Sequence, residues 1–161
     1  MMPPDPFLKR FLFDCGTRDL GAAPGLLFLR AATGLMMLIG HGVPKIEDFA
    51  KFKDSWHVPD FFPLYFMSPQ VSLLATIGAE VVAAGLLVLG LMTRPAAFVF
   101  CFAMVIAAFD VCGGARWFAQ PATGKELAVL YLIPGLVILF TGAGAWSLDA
   151  GIFRERKRRS W

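Results

Sequence analysis

The feature that most constrains this chain is residues 71–92, VSLLATIGAEVVAAGLLVLGLM, a run with a single ionisable side chain, Glu80. As a helix rising about 1.5 Å per residue it reaches ~33 Å, enough to cross a hydrocarbon layer of about 30 Å. Glu80 then falls near mid-membrane, where a carboxylate costs about 2.5–3.5 kcal/mol on insertion scales. It has to be protonated, paired or turned toward a polar cavity. Ala75, Gly78, Ala79, Ala83, Ala84 and Gly85 share the run, and small side chains let helices approach closely inside a bilayer.

The rest of the chain matches this reading. Of its 161 residues 57% are hydrophobic and 17% charged, against about 45–50% and about 25% in soluble domains. Three further apolar runs, 21–40, 96–112 and 126–142, accompany residues 71–92. The expected fold class is an all-α, integral-membrane four-helix bundle spanning 21–149. An interfacial segment, 1–20, precedes it and a basic tail, 150–161, follows it. The mixed opening FLKRFLF–DCGTRDL has charges inside any apolar core and no small-residue cleavage site, so it does not read as a cleaved signal peptide.

Pro24 suits the first turn of the first helix, where its missing N–H is not needed. Pro44 is expected to stop that helix just past His41. Residues 46–70 form the longest hydrophilic connection, rich in aromatic side chains and broken by Pro59, Pro63 and Pro69. That composition fits a loop lying on, and partly in, the membrane surface. Thr93-Arg94-Pro95 reads as a tight turn between antiparallel neighbours, and Pro134 as a kink in the last span.

Arginine and lysine counts give an orientation. With four spans both termini share one side, which then carries nine of these residues, including Arg94 and the tail Arg154–Arg159. The opposite side carries five. The positive-inside rule places both termini in the cytoplasm, and the basic balance otherwise flanks a span rather than forming a nucleic-acid surface.

Threaded this way, His41, Asp110 and Glu126 lie at the non-cytoplasmic boundary with Glu80 beneath them. Together with Arg30 they form a candidate polar pocket at the mouth of the bundle. Each also has a plainer reading: His41 as a helix-end residue, Glu126 as a first-turn carboxylate complementing the helix dipole. Arg30, about 9 Å into the first helix, has two placements open to it. It can snorkel to the near headgroups or turn inward to neutralise Glu80. No H-x-x-E or H-x-x-x-H spacing supports a metal. Cys15, Cys101 and Cys112 contain no C-x-x-C pair, and the last two, ~16 Å apart on one helix, are too distant for a disulfide. There is no G-x-G-x-x-G after a strand and no C-x-x-C-H, so neither a nicotinamide or flavin nor a c-type haem site is indicated.

Three segments, LLFLRAATGLMMLIGHGVPK, GAEVVAAGLLVLGLMTRPAA and KELAVLYLIPGLVILFTGAGAWSLD, resemble the DoxX family of small four-span membrane proteins. Arg30, His41-Gly42-x-x-Lys45, Ala79-Glu80, Leu89-Gly90-Leu91 with Thr93-Arg94, and Ser147-Leu148-Asp149 occupy the family's recurring positions. Many relatives carry a histidine near the end of the third span. Asp110 stands there instead, so a role resting on that histidine does not carry over. The resemblance implies little about activity: some DoxX-like proteins look like membrane subunits of quinone-linked sulfur oxidation or of redox-protection complexes, and most have no assigned activity. The expected location is the plasma (bacterial inner) membrane.

Two kinds of function follow as expectations. One is a redox-associated subunit offering a quinone or similar lipophilic molecule a cavity with Glu80, Arg30 and His41 as polar contacts. The other is a non-catalytic scaffold or assembly factor, with a small-molecule transporter behind it. The expected partners are the lipid bilayer, membrane or redox proteins, and a second copy of the chain. The residues assign no catalytic group.

Overall fold

The computed structural model describes residues 13–118 and 125–152. The first twelve residues of the expected interfacial segment and the basic run of the tail lie outside them. Among the described residues every regular element is helical. Three helices are long and apolar enough to cross a membrane: α1 (Ala23–Glu47), α3 (Pro69–Leu89) and α4 (Thr93–Val111). Between the first two lie the short helix α2 (Phe49–Phe52) and a 3-10 turn, Leu64–Phe66. A further helix, α5 (Lys125–Thr141), 17 residues long, packs against α4 and α1.

The prolines act differently from the sequence expectation at two points. Pro44 does not end α1. The helix widens into a π turn over Leu38–Gly42 and resumes as α-helix over Val43–Glu47, with the proline in the first turn after the change. A proline ring clashes with the carbonyl four residues back in regular α geometry, and the extra residue in the wide turn takes up that clash. Pro95 does not make a turn either. It sits in the first turn of α4, which starts at Thr93, a position that needs no backbone N–H. The reversal is made by the residues before it: Gly90 and Met92 both take left-handed backbone, at φ 65° and φ 47°. Pro134 lies inside α5 as expected.

The core is built from small residues around a few large ones. Ala83, Ala84 and Leu87 of α3 meet Ala96, Ala97, Phe100 and Met104 of α4, with Met37 from α1 and Ile138 from α5. Two glycines allow close approaches between helices here. A Cβ on Gly34 would lie 2.7 Å from the Ala84 carbonyl oxygen, and one on Gly135 would lie 2.8 Å from Cys101 Sγ. Apolar side chains such as Phe28, Val82, Phe98 and Phe140 stand exposed around the outside, where a lipid-facing surface needs no polar cover.

π turns recur. Besides Leu38–Gly42, α3 has one over Gly78–Ala83 and α4 one over Ala107–Val111. Such turns are frequent at functional sites. Here they carry His41, Glu80 and Asp110.

Candidate functional site

The interior opens into a cavity of about 720 Å³. Its lining is largely apolar: Met37, Ala79, Phe102, Ala103, Met104 and Ala107 are among its walls. Its polar groups come from His41, Lys45, Ser72, Thr76, Glu80 and Tyr131. The connection between α1 and α3 folds across one end, contributing Phe52, Ser55, Trp56, His57, Pro59, Leu64 and Met67. The aromatic loop expected at the surface therefore forms one wall of the cavity.

At its heart is an ion pair between a partly buried lysine and a buried glutamate. Lys45 Nζ lies 2.5 Å from Glu80 Oε2, and the two side chains are mostly shielded from solvent. Lys45 also donates to the His41 carbonyl oxygen at 3.4 Å and lies 5.8 Å from the centre of the Trp56 ring. The continuation of α1 past Pro44 is what puts the lysine there. Helix spacing of four residues stacks it on His41, so its stem runs back into the bundle. Gly42 lets α1 and α3 come together at this level, since a Cβ there would lie 2.7 Å from Val81 Cγ2 and 3.0 Å from the Glu80 carbonyl oxygen. His41 packs edge-on against Tyr131 of α5, ring centres 5.5 Å apart.

A second pair closes the mouth. His57 Nε2 lies 2.6 Å from Asp110 Oδ2, and the Asp60 amide donates to Asp110 Oδ1 at 3.4 Å. The Ser72 hydroxyl donates to the His57 carbonyl oxygen at 2.7 Å, tying the connection to α3. A histidine thus does reach the end of α4, supplied by the loop.

Of the five candidate residues, His41 and Glu80 line the cavity, while Arg30, Asp110 and Glu126 do not. Asp110 stands at the rim, bound to His57, and Glu126 occupies the first turn of α5. Arg30 is the main correction. It neither snorkels to the surface nor meets Glu80. Its side chain is 2% exposed, and Nη1 donates to the carbonyl oxygens of Leu87 (3.1 Å) and Val88 (2.5 Å) in the last turn of α3. Nη2 donates to the Trp146 carbonyl oxygen. Helix-end carbonyls lack their regular donor four residues on and carry the negative end of the dipole; the guanidinium serves both needs, sharing Leu87 with the Gly90 amide at 3.1 Å. Gly90 makes the space, because a Cβ there would lie 2.7 Å from Nη1. Beside it, buried Asp149 accepts from the Met92 amide (2.8 Å), the Thr93 amide (3.0 Å) and the Thr93 hydroxyl (2.8 Å). Arg30, Gly90, Thr93 and Asp149 form a clamp that joins α1, α3, α4 and the segment after α5, at the opposite end from the cavity mouth.

Sequence reasoning missed Lys45 and His57 as site residues. Lys45 carries a signal, its four-residue spacing from His41, which is hidden once Pro44 is taken as a helix stop. His57 lies in an irregular segment with no periodicity to place it. Among the described residues no three of His, Cys, Asp and Glu gather as a metal site.

Comparison with known proteins gives the lineage. Residues 25–113 match the family described as DoxX, covering α1, α3, α4 and the connection that carries His57. The chain belongs to the DoxX family. It is 33% identical over 132 residues to a protein of Haemophilus influenzae, covering 81% of this chain and 92% of that one. A second protein of the same organism is 24% identical over 151 residues, covering 92% and 96%. Both are described as uncharacterized. No solved structure matches. The DoxX match contains Lys45, Glu80, His57 and Asp110, whereas α5 and Asp149 lie beyond it.

Proposed function

We propose that this DoxX protein is a four-span membrane subunit that binds a lipophilic small molecule of the quinone class inside its bundle, in association with a redox partner. The observation that carries the reading is the Lys45–Glu80 pair set in a largely apolar cavity of about 720 Å³. That volume falls in the range of about 300–1,000 Å³ typical of small-molecule sites, which combine apolar walls with a few placed polar groups. A quinone ring is flat and apolar with carbonyl oxygens at its edges. The Lys45 ammonium is a three-proton donor, held by Glu80 with protons left over for a ligand carbonyl. Trp56, 5.8 Å from that donor, and Tyr131, against His41, add ring surfaces to the same cavity. The membrane is then the cytoplasmic (bacterial inner) membrane, with the Arg30–Asp149 clamp and both termini on the cytoplasmic side and the His57–Asp110 pair on the other.

The test is purification in mild detergent with extraction and identification of retained quinones and lipids. The native protein should retain quinone and Lys45→Met should lose most of it. Retention of none by the native protein, or equal retention by both, refutes the quinone reading. The scaffold reading rests on the exposed apolar faces alone, and it gains only if partner proteins co-purify equally with native protein and Lys45→Met.

A further inference from the structure

One wall of the cavity is also part of the outer surface of the bundle. Val99 and Phe102 of α4 line the cavity, yet they are 46% and 44% exposed. Ala75 of α3 lines it too and is likewise exposed. On helices that cross a membrane, such exposure is to lipid. The arrangement follows from how α3 and α4 diverge. Their halves nearest the clamp are packed through Ala83, Ala84, Leu87, Ala96, Ala97 and Phe100, whereas Pro69–Ile77 of α3 makes no extensive contact with α4. The lining positions lie within the spans rather than at their ends. Counting ~1.5 Å per residue, Ala75 is about 9 Å from the mouth end of α3, and Val99 and Ile106 are about 9 and 20 Å from the clamp end of the antiparallel α4.

We infer that the gap between α3 and α4 is a lateral portal. The ligand enters through it from the lipid, and once bound leaves an apolar tail in it. The inference rests on the small-molecule reading above and narrows its substrate class. The ligand is a two-part molecule, a compact polar-edged head at Lys45–Glu80 and an unbranched or isoprenoid tail. A water-soluble compound entering past His57 does not fit the arrangement. The chemistry of the walls agrees with this division: His41, Lys45, Glu80 and Tyr131 supply the head site, the Ser72 and Thr76 hydroxyls beside Ala75 already donate to the His57 and Ser72 carbonyls, and Ala75, Val99, Phe102, Ala103 and Ile106 offer a tail only hydrocarbon.

The experiment compares two probes on the protein in phosphatidylcholine–phosphatidylglycerol nanodiscs: a dimethoxy-methyl-benzoquinone with a decyl tail, and the same head without a tail. Ala75→Trp and Val99→Trp narrow the gap from positions whose side chains already face outward, so the core is left alone. Val82→Trp, exposed on α3 but outside the cavity lining, is the control. The portal variants should lose decyl-quinone binding by tenfold or more, keep binding of the tailless head within twofold of the native protein, and Val82→Trp should change neither. If both probes are lost together, or neither is affected, the portal is overturned while the cavity reading stands. If the native protein binds neither probe, the cavity reading fails and the portal with it.

Discussion

At the scale of single residues the Lys45–Glu80 pair carries the proposed function, and its strength is measurable. Removing one partner of a buried pair leaves an uncompensated charge and costs about 3–5 kcal/mol. Glu80→Gln and Lys45→Met should therefore each lower the thermal stability of the detergent-solubilised protein. The double variant should recover a large part of the loss, since no lone charge remains. Arg30→Leu should also destabilise, because it removes the guanidinium from the Leu87, Val88 and Trp146 carbonyls and leaves Leu87 only the Gly90 amide, but its effect should add to that of Glu80→Gln. Coupling of Arg30 rather than Lys45 to Glu80 in these cycles would refute the pairing. Glu80 is legible in the sequence because it stands alone in an apolar run. Its partner is not, because two cations, Arg30 and Lys45, compete for it. The winner depends on whether α1 continues past Pro44, and a π turn, which adds one residue to one turn, leaves no mark on an apolar pattern.

At the scale of elements, the fold depends on a few places where backbones or a guanidinium press together. Gly42→Ala would drive a methyl into Val81 and the Glu80 carbonyl, and overpacking of this kind costs about 1–3 kcal/mol. Gly90→Ala combines a left-handed backbone with a collision at Arg30. Both should lower the melting temperature well below that of Gly85→Ala, where nothing lies within 4 Å of the new methyl. An unchanged melting temperature for Gly90→Ala would mean that the clamp is not needed. The connection over the cavity mouth is tested by a native thiol. Cys112 lines the cavity, while Cys15 and Cys101 are buried, so N-ethylmaleimide should modify Cys112 on the folded protein and spare the other two. Asp110→Asn weakens the bond to His57 and should raise that rate several-fold. An unaltered rate would show that His57–Asp110 does not hold the mouth closed. Helix existence and rough extent are readable from hydropathy alone. The packing of residues 48–68 into a cavity wall is not, because aromatic side chains suit a membrane surface and a cavity wall equally well.

At the scale of the whole molecule, what remains is the path of α5 and hence the sides of the membrane. At 17 residues α5 is about 26 Å long, near the lower limit of about 17 residues for a span. Its contacts argue that it nonetheless runs the height of the bundle. At its start, Leu127, Ala128 and Tyr131 line the cavity beside His41. At its end, the Thr141 carbonyl accepts from the Thr17 amide, the Gly144 amide donates to the Cys15 carbonyl, and Trp146 receives Arg30. The segment before α1 and the segment after α5 are therefore side by side at the clamp end, as an even number of crossings requires. On the proposed reading, in which the basic ends of the sequence flank this side, the positive-inside rule predicts that it faces the cytoplasm. Two cysteine variants in a background with Cys112 replaced by serine check this in intact bacterial cells. Lys51→Cys, in the connection over the cavity mouth, should react with a membrane-impermeant maleimide at once. Leu20→Cys, exposed beside the start of α1, should react only after the membrane is permeabilised. Reaction of both from outside would mean that α5 turns back without crossing or that three spans are in the membrane. The reverse pattern would keep the bundle but invert it, placing the Lys45–Glu80 cavity nearer the cytoplasmic face, where a soluble redox partner would meet it directly.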